Sequence, residues 1–267
     1  MSVQNLKLNV WFPTYLRCLY IMSQTYKSTY ETPDPDGKRP TDQEITYAFK
    51  CFITSMINTM PDSFTKEKIQ SFLFMTNYAS DLLLKEPSLQ SFFNIYSYMK
   101  DEVKKGTSMF YNNTAFLDYC LQSEFTMTCW VYLLQSYMII VTNKYGGYTG
   151  IPKFTDITTE YNIKRITKDD WGNAIWFIIH VSAMWGSGDM EELFYNYKAM
   201  LSCLQYLLPC PKCRAHLRNN LSKIDIDYCR MSRDALFECS WRLHNIVNQD
   251  LGKPQPTLQS ARAMYQF

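Results

Sequence analysis

Two cysteines three residues apart, Cys210 and Cys213, stand in the stretch Leu208-Pro209-Cys210-Pro211-Lys212-Cys213-Arg214-Ala215-His216-Leu217. Pro211 suits the first position of a helix, where its missing N–H costs nothing. That puts Cys210 at the N-cap and Cys213 in the first turn. Unpaired N–H groups and the positive end of the helix dipole favour anionic sulfur there. Lys212 and Arg214 add positive charge. These conditions lower a thiol pKa and suit a dithiol to redox exchange. A C-x2-C pair also serves as a structural disulfide or half a zinc site, so the flanking sequence has to decide.

Other residues able to do chemistry lie nearby in sequence. All three histidines, His180, His216 and His244, fall beyond residue 168, as do four of the six tryptophans. Helical spacing puts Trp176 and His180 on one side of a helix, four residues apart. Trp241, His244, Asn245 and Asn248 share a face of another. A buried histidine with two buried asparagines is costly unless each finds a partner. Together with the dithiol they suggest one flat ligand, rich in donors and acceptors and able to take electrons. A flavin fits.

The elements that must position these residues read as helices. The 267 residues are 46% hydrophobic and 16% aromatic, with only nine glycines. Long stripes of helical period run through them, so the fold class expected is all-α. Residues 1–40 read as irregular and end in a turn cluster at Thr32–Gly37. Thr41 and Glu44 form a capping box for a helix that Pro61 stops. Further helices are expected from Thr65 to about Leu84, from Pro87 through Val103, and from Phe116 to Val141. The aromatic stripes of this half are read as helix core. Residues 1–145 form a helical companion domain without a redox site, 146–166 a linker, and 167–267 the domain that carries the chemistry. That domain is expected to have four main helices. The first is capped at Thr167–Asp170, the second runs from about Met190 to Leu208, the third starts at the cysteine pair, and the fourth is capped by Ser232.

Net charge is +2, which does not suggest an electrostatic nucleic-acid binder. The apolar run from Val10 to Met22 contains Pro13 and Arg17, unlike a signal peptide. The stretch Trp130–Val141 is too short to cross a bilayer. An intracellular, non-secreted protein without a transmembrane segment is expected. Most of its nine cysteines would then be buried small hydrophobes. Cys229 and Cys239 are expected as two buried thiols, with an unusual pair as the alternative.

Three stretches carry a resemblance: Trp171-Gly172-x3-Trp176-x3-His180, Leu208-Pro209-Cys210-x2-Cys213-Arg214-x-His216-Leu217, and Leu243-His244-Asn245-x-Val247-Asn248-x2-Leu251-Gly252-Lys253-Pro254. In order and spacing they resemble the Erv/ALR family of FAD-linked sulfhydryl oxidases, in the form found in large DNA viruses. The resemblance implies a helical bundle cradling FAD. Cys213 would face the flavin as the charge-transfer thiolate, and Cys210 would exchange with substrate. Trp171, Gly172, Trp176 and His180 would contact FAD. His244, Asn245, Val247, Asn248 and Lys253 would hold its adenine, ribose and phosphate portion. Thiol-containing proteins and molecular oxygen would be the substrates, and disulfides and hydrogen peroxide the products.

Small family members are typically dimers, so a homodimer is among the expected partners. The companion domain is expected to lie against the flavin bundle, on the surface others use to dimerise. A viral source would imply host cytoplasm or nucleus at assembly sites, and the virion. Members often carry a cysteine three residues before the His-Asn pair, bonded to one beyond the Gly-Lys-Pro. Here those places hold Trp241 and about Thr257, so that disulfide is expected to be absent. The rival reading is a zinc module built from Cys210, Cys213, His216 and His244, although C-x2-C-x2-H on one helical turn is an unusual chelate. A thioredoxin-like reading is weaker, because the pair is not in a βαβ pattern.

Overall fold

A computed structural model of the chain describes residues 6–25, 33–74, 115–142, 151–162 and 166–267, with isolated positions at 94 and 97. Among the described residues there are twelve helices and no strand. They are α1 (Leu8–Thr25), α2 (Asp42–Asn58), α3 (Ser63–Phe74), α4 (Ala115–Cys120), α5 (Glu124–Thr142) and α6 (Phe154–Glu160). Then follow α7 (Lys168–Trp185), α8 (Met190–Leu207), α9 (Pro211–Leu221), α10 (Ile226–Arg230), α11 (Arg233–Asp250) and α12 (Leu258–Met264).

Local signals set several boundaries. Thr41 and Glu44 close a capping box on α2, with Glu44 N–H donating to Thr41 Oγ1 at 3.2 Å and Thr41 N–H to Glu44 Oε2 at 2.8 Å. Thr167 and Asp170 do the same on α7. Ser232 caps α11 by accepting from Ala235 N–H at 3.1 Å.

Other expectations need correction. Residues 8–25 are helical, not irregular, although Pro13 lies inside the helix and removes a backbone donor. Trp11, Phe12, Tyr15, Leu16 and Leu19 are all buried on α1, and their burial outweighs the local defect. The expected helix from Phe116 to Val141 is broken into α4 and α5. Ser123 starts the second piece, its Oγ accepting from Thr126 N–H at 3.1 Å while Thr126 Oγ1 accepts from Ser123 N–H at 3.2 Å. The described part of the linker contains α6, which buries Phe154 and Ile157. Of the helix expected over Pro87–Val103 only positions 94 and 97 are described, both helical, and the end of the one from Thr65 lies outside the described residues. In the C-terminal region the short helices α10 and α12 join the four expected.

Cys229 and Cys239 are joined by a disulfide rather than standing as two thiols. The turn at Met231–Ser232 folds α10 back onto the start of α11 and leaves their Cα atoms 5.8 Å apart, within bridging range. Loop closure of that size contributes about 3 kcal/mol. Cys18, Cys51, Cys120, Cys129 and Cys203 are free.

The two halves share one continuous core. α2 lies along α8, and α1 crosses both α5 and α7. Buried polar groups tie the seam. Tyr15 Oη meets Ser182 Oγ at 2.9 Å, Thr59 Oγ1 donates to Ser182 Oγ at 3.1 Å, and Ser187 N–H donates to Met60 O at 2.8 Å. Gly186 ends α7 at this seam, where a Cβ would run into the Leu193 side chain and the Ser182 carbonyl.

One described helix, α5, is long and apolar enough by length and composition to cross a membrane, longer than the Trp130–Val141 stretch alone. It is 19 residues with 67% of its apolar window buried inside the fold. Trp130, Val131, Leu133 and Leu134 pack in the core.

Candidate active site

α7, α9 and α11 converge on an open cleft, with Leu204 and Leu208 of the α8 end closing one side. The redox pair enters it from α9. Cys210 is the N-cap and Pro211 the first helical residue. Cys210 and Cys213 are joined by a disulfide, and Cys213 N–H points at Cys210 Sγ at 3.2 Å. Both are partly exposed, but only Cys213 lines the cleft, with Lys212 and His216 beside it.

From α7, Trp171, Gly172 and Trp176 line the opposite wall, and a Cβ on Gly172 would meet nothing within 4 Å. From α11 come His244, Val247 and Asn248, and just beyond it Lys253. Backbone bonds hold that corner: Lys253 N–H donates to Asn248 O at 2.8 Å, and Gly252 sits at φ +65° to make the turn. Lys253 Nζ reaches Asp169 Oδ1 at 3.4 Å.

Two of the expected contact residues stand behind the wall. His180 is buried, and its ring nitrogens are taken by Ser240 and His244. Asn245 turns away, its Nδ2 donating to Pro256 O at 3.1 Å, while its buried Oδ1 has no hydrogen-bond partner. Trp241 joins it there, Nε1 donating to Pro256 O at 2.7 Å. A pair of hydrogen bonds to the tail thus occupies the place where the resemblance implies a disulfide in other members.

The histidine pair has a defined proton arrangement. Ser240 Oγ donates its only proton to Phe237 O at 2.6 Å, so it accepts from His180 Nδ1–H at 2.8 Å. His180 Nε2 is then an acceptor and takes the proton of His244 Nδ1 at 2.9 Å. His244 Nε2 is left as a bare acceptor on a ring that lines the cleft. Trp176 stacks on His244 at 4.0 Å and 5° between planes, and on His180 at 5.8 Å. Ser240 was not legible as a functional residue; it is one small polar side chain on an apolar stripe.

Burial, with the neighbouring His244, pushes His180 down to about 3. Burial, with Lys253 nearby, pushes His244 down to about 4. Both folded values lie below the unfolded one of about 6.5, so the unfolded chain binds the extra protons. Stability from the pair is full above about pH 6.5 and is lost as pH falls toward 4 and 3. At pH 5 the loss expected for His180 alone is about 2 kcal/mol. Denaturant unfolding at pH 7 and pH 5 checks it, and equal stabilities at the two would contradict a buried neutral pair.

A zinc centre has no such support. Among the described residues no group of three or more His, Cys, Asp or Glu side chains is placed to hold a metal ion. The two cysteines bond each other, and His244 Nδ1 is engaged by His180.

A model of the Erv1 / Alr family matches residues 173–266. The chain is 36% identical over 88 residues to a protein of Invertebrate iridescent virus 3 named as an FAD-linked sulfhydryl oxidase, covering 32% of this chain and 58% of that one. It is 30% identical over 98 residues to a similarly named protein of Acanthamoeba polyphaga mimivirus, covering 36% and 68%. The chain belongs to the Erv1/Alr family. A third relative, from Frog virus 3, is 31% identical over 99 residues, covering 36% of this chain and 65% of its own. The chain therefore spans between 58% and 68% of the length of these three Erv1/Alr relatives. No solved structure matches. The Erv1/Alr region begins within α7 and ends after α12, so it takes in the whole cleft except the first residues of α7.

Proposed function

We propose that this chain is an FAD-linked thiol oxidase, converting two thiols and dioxygen into a disulfide and hydrogen peroxide. The observation that carries this reading is the division of the redox pair: Cys213 lines the aromatic-walled cleft and Cys210 does not. The names of the viral relatives support it. The cleft also fits the cofactor. Trp171 and Trp176 offer apolar ring faces, His244 Nε2 a bare acceptor, Asn248 an amide, and Lys253 a cation suited to phosphate. When bound, FAD would accept two electrons from the dithiol and deliver them to dioxygen.

The protein's own steps are thiol exchange. A substrate thiolate attacks Cys210 Sγ; the Cys210–Cys213 bond breaks, and Cys213 leaves as a thiolate. The N-terminal end of α9 and Lys212 stabilise that charge. A second substrate thiolate attacks the mixed disulfide, releasing the product disulfide and Cys210. The electron pair then resides on Cys213, against the cleft. Burial pushes the thiols of Cys18 and Cys129 in the N-terminal half up to about 12, which supports these two taking no part in the exchange. Oxygen uptake by the full-length, FAD-loaded chain with a small dithiol tests the proposal. Uptake that stops on replacing Cys213 supports it; no uptake by the loaded chain would sink it.

A further inference from the structure

The turn cluster at residues 34–37, far from the cysteines in sequence, sits against the redox helix. Asp34 and Arg214 form an ion pair whose side chains are both fully buried. Arg214 immediately follows Cys213. Its Nε and Nη2 donate to Asp34 Oδ1 at 2.9 and 2.6 Å, and its Nη1 donates to Leu208 O at 2.9 Å. One turn on, Arg218 Nη2 donates to Asp34 Oδ2 at 2.7 Å and to the Asp36 carboxylate at 2.7 and 2.8 Å. Arg218 Nη1 donates to Gln205 O at 3.1 Å. The two guanidinium groups thus bridge the last carbonyls of α8 to the acidic turn. The turn itself is fixed by Asp34 N–H to Lys38 O and Gly37 N–H to Asp34 O, both 2.8 Å, with Gly37 at φ +78°.

We propose that the Asp34–Asp36 turn is a positioning clamp for the redox helix, holding the α8–α9 corner so that Cys213 faces the cleft and setting the balance between disulfide and dithiol. This rests on the oxidase reading above. Asp34 and Asp36 are positioning residues that act through Arg214 and Arg218. Geometry requires them, because the corner carrying both cysteines has its carbonyls bonded to side chains that are themselves held by the turn. Charge requires them as well. Two carboxylates offset two guanidinium groups carried by the helix whose first turn holds a sulfur that must alternate between disulfide and thiolate. Removing one carboxylate leaves an excess positive charge, which favours the thiolate and so the reduced pair.

The test uses the full-length chain carrying Asp34→Asn, which keeps the side chain's size but removes the charge and replaces one of the two acceptor oxygens by a donor. The Cys210–Cys213 midpoint potential is read by alkylation in glutathione buffers, which needs neither flavin nor turnover. The equilibrium is expected to shift about tenfold toward the dithiol, a rise of about 30 mV for this two-electron couple. In the FAD-loaded protein kcat falls about tenfold as Cys213 moves off the cleft wall, while KM for a small dithiol stays unchanged. Asp34→Asn combined with Arg214→Gln restores the charge balance and should return the potential toward that of the native protein. Should Asp34→Asn alone fail to fold, Asp36→Asn decides, with a smaller shift of the same sign. A folded variant with native potential and native kcat would overturn the clamp. A native chain that takes up FAD but oxidises no dithiol would overturn the oxidase reading, with the potential measurement still valid.

Discussion

Replacing Cys213 by serine is expected to lower dithiol oxidation by at least about 10³-fold, and replacing Cys210 to do the same, because the pair acts as a unit. The two variants should nevertheless look different. Only Cys213 lines the cleft, while Cys210 caps α9 at the surface. With Cys210→Ser, Cys213 remains as a lone thiol whose anion is favoured by the helix N-terminus and Lys212. A thiolate held against a flavin ring gives a long-wavelength absorbance band, and that band should be present in Cys210→Ser and missing in Cys213→Ser. Identical spectra of the two flavin-loaded variants would contradict the assignment of roles.

The second large effect is on cofactor retention. Replacing His244 and Asn248 together by leucine removes the bare acceptor and the amide from the α11 wall. It also removes the ring that stacks on Trp176 at 4.0 Å. Two lost hydrogen bonds of ordinary strength weaken binding about 10²-fold, before the lost stacking is counted. The protein is expected to keep its helical circular-dichroism spectrum and elute from gel filtration without yellow colour. Retention of stoichiometric flavin by the double variant would show that these side chains do not hold it.

How much of this was legible depends on how local the signal was. The cysteine pair with Pro211 between its members specifies an N-cap and a first turn within four residues, and α9 begins there. The capping boxes at Thr41 and Thr167 are equally local. Helical spacing gave the faces of α7 and α11 but not their depth. His180 shares a face with Trp176, yet it lies behind His244 as its hydrogen-bond partner. Trp241 and Asn245 share a face with His244 and Asn248, yet the first two turn to Pro256 and the tail. Which residues meet the cleft is decided by what packs on each side, and that is a tertiary fact.

α1 carries Pro13, a strong local signal against helix, outweighed here by burial of its aromatic face. The Cys229–Cys239 bond depends on how tightly α10 folds back on α11, which spacing alone does not fix. Asp34 carries no local pattern, and Arg214 reads locally only as positive charge beside the cysteines. A turn aspartate reads as solvated and an arginine after a C-x2-C reads as surface charge, until the fold brings them together and buries both.

Electrons passing from the Cys210–Cys213 pair to a flavin held in the cleft are the centre of the proposed chemistry. Its most direct measurement is an absorbance spectrum of the purified full-length chain, taken without oxygen, during titration with a small dithiol. The account predicts a yellow protein whose flavin absorbance bleaches as the dithiol is added and returns when oxygen is admitted, with neither change in Cys213→Ser. A colourless chain that does not take up FAD, or a flavin that bleaches equally well without Cys213, would contradict it.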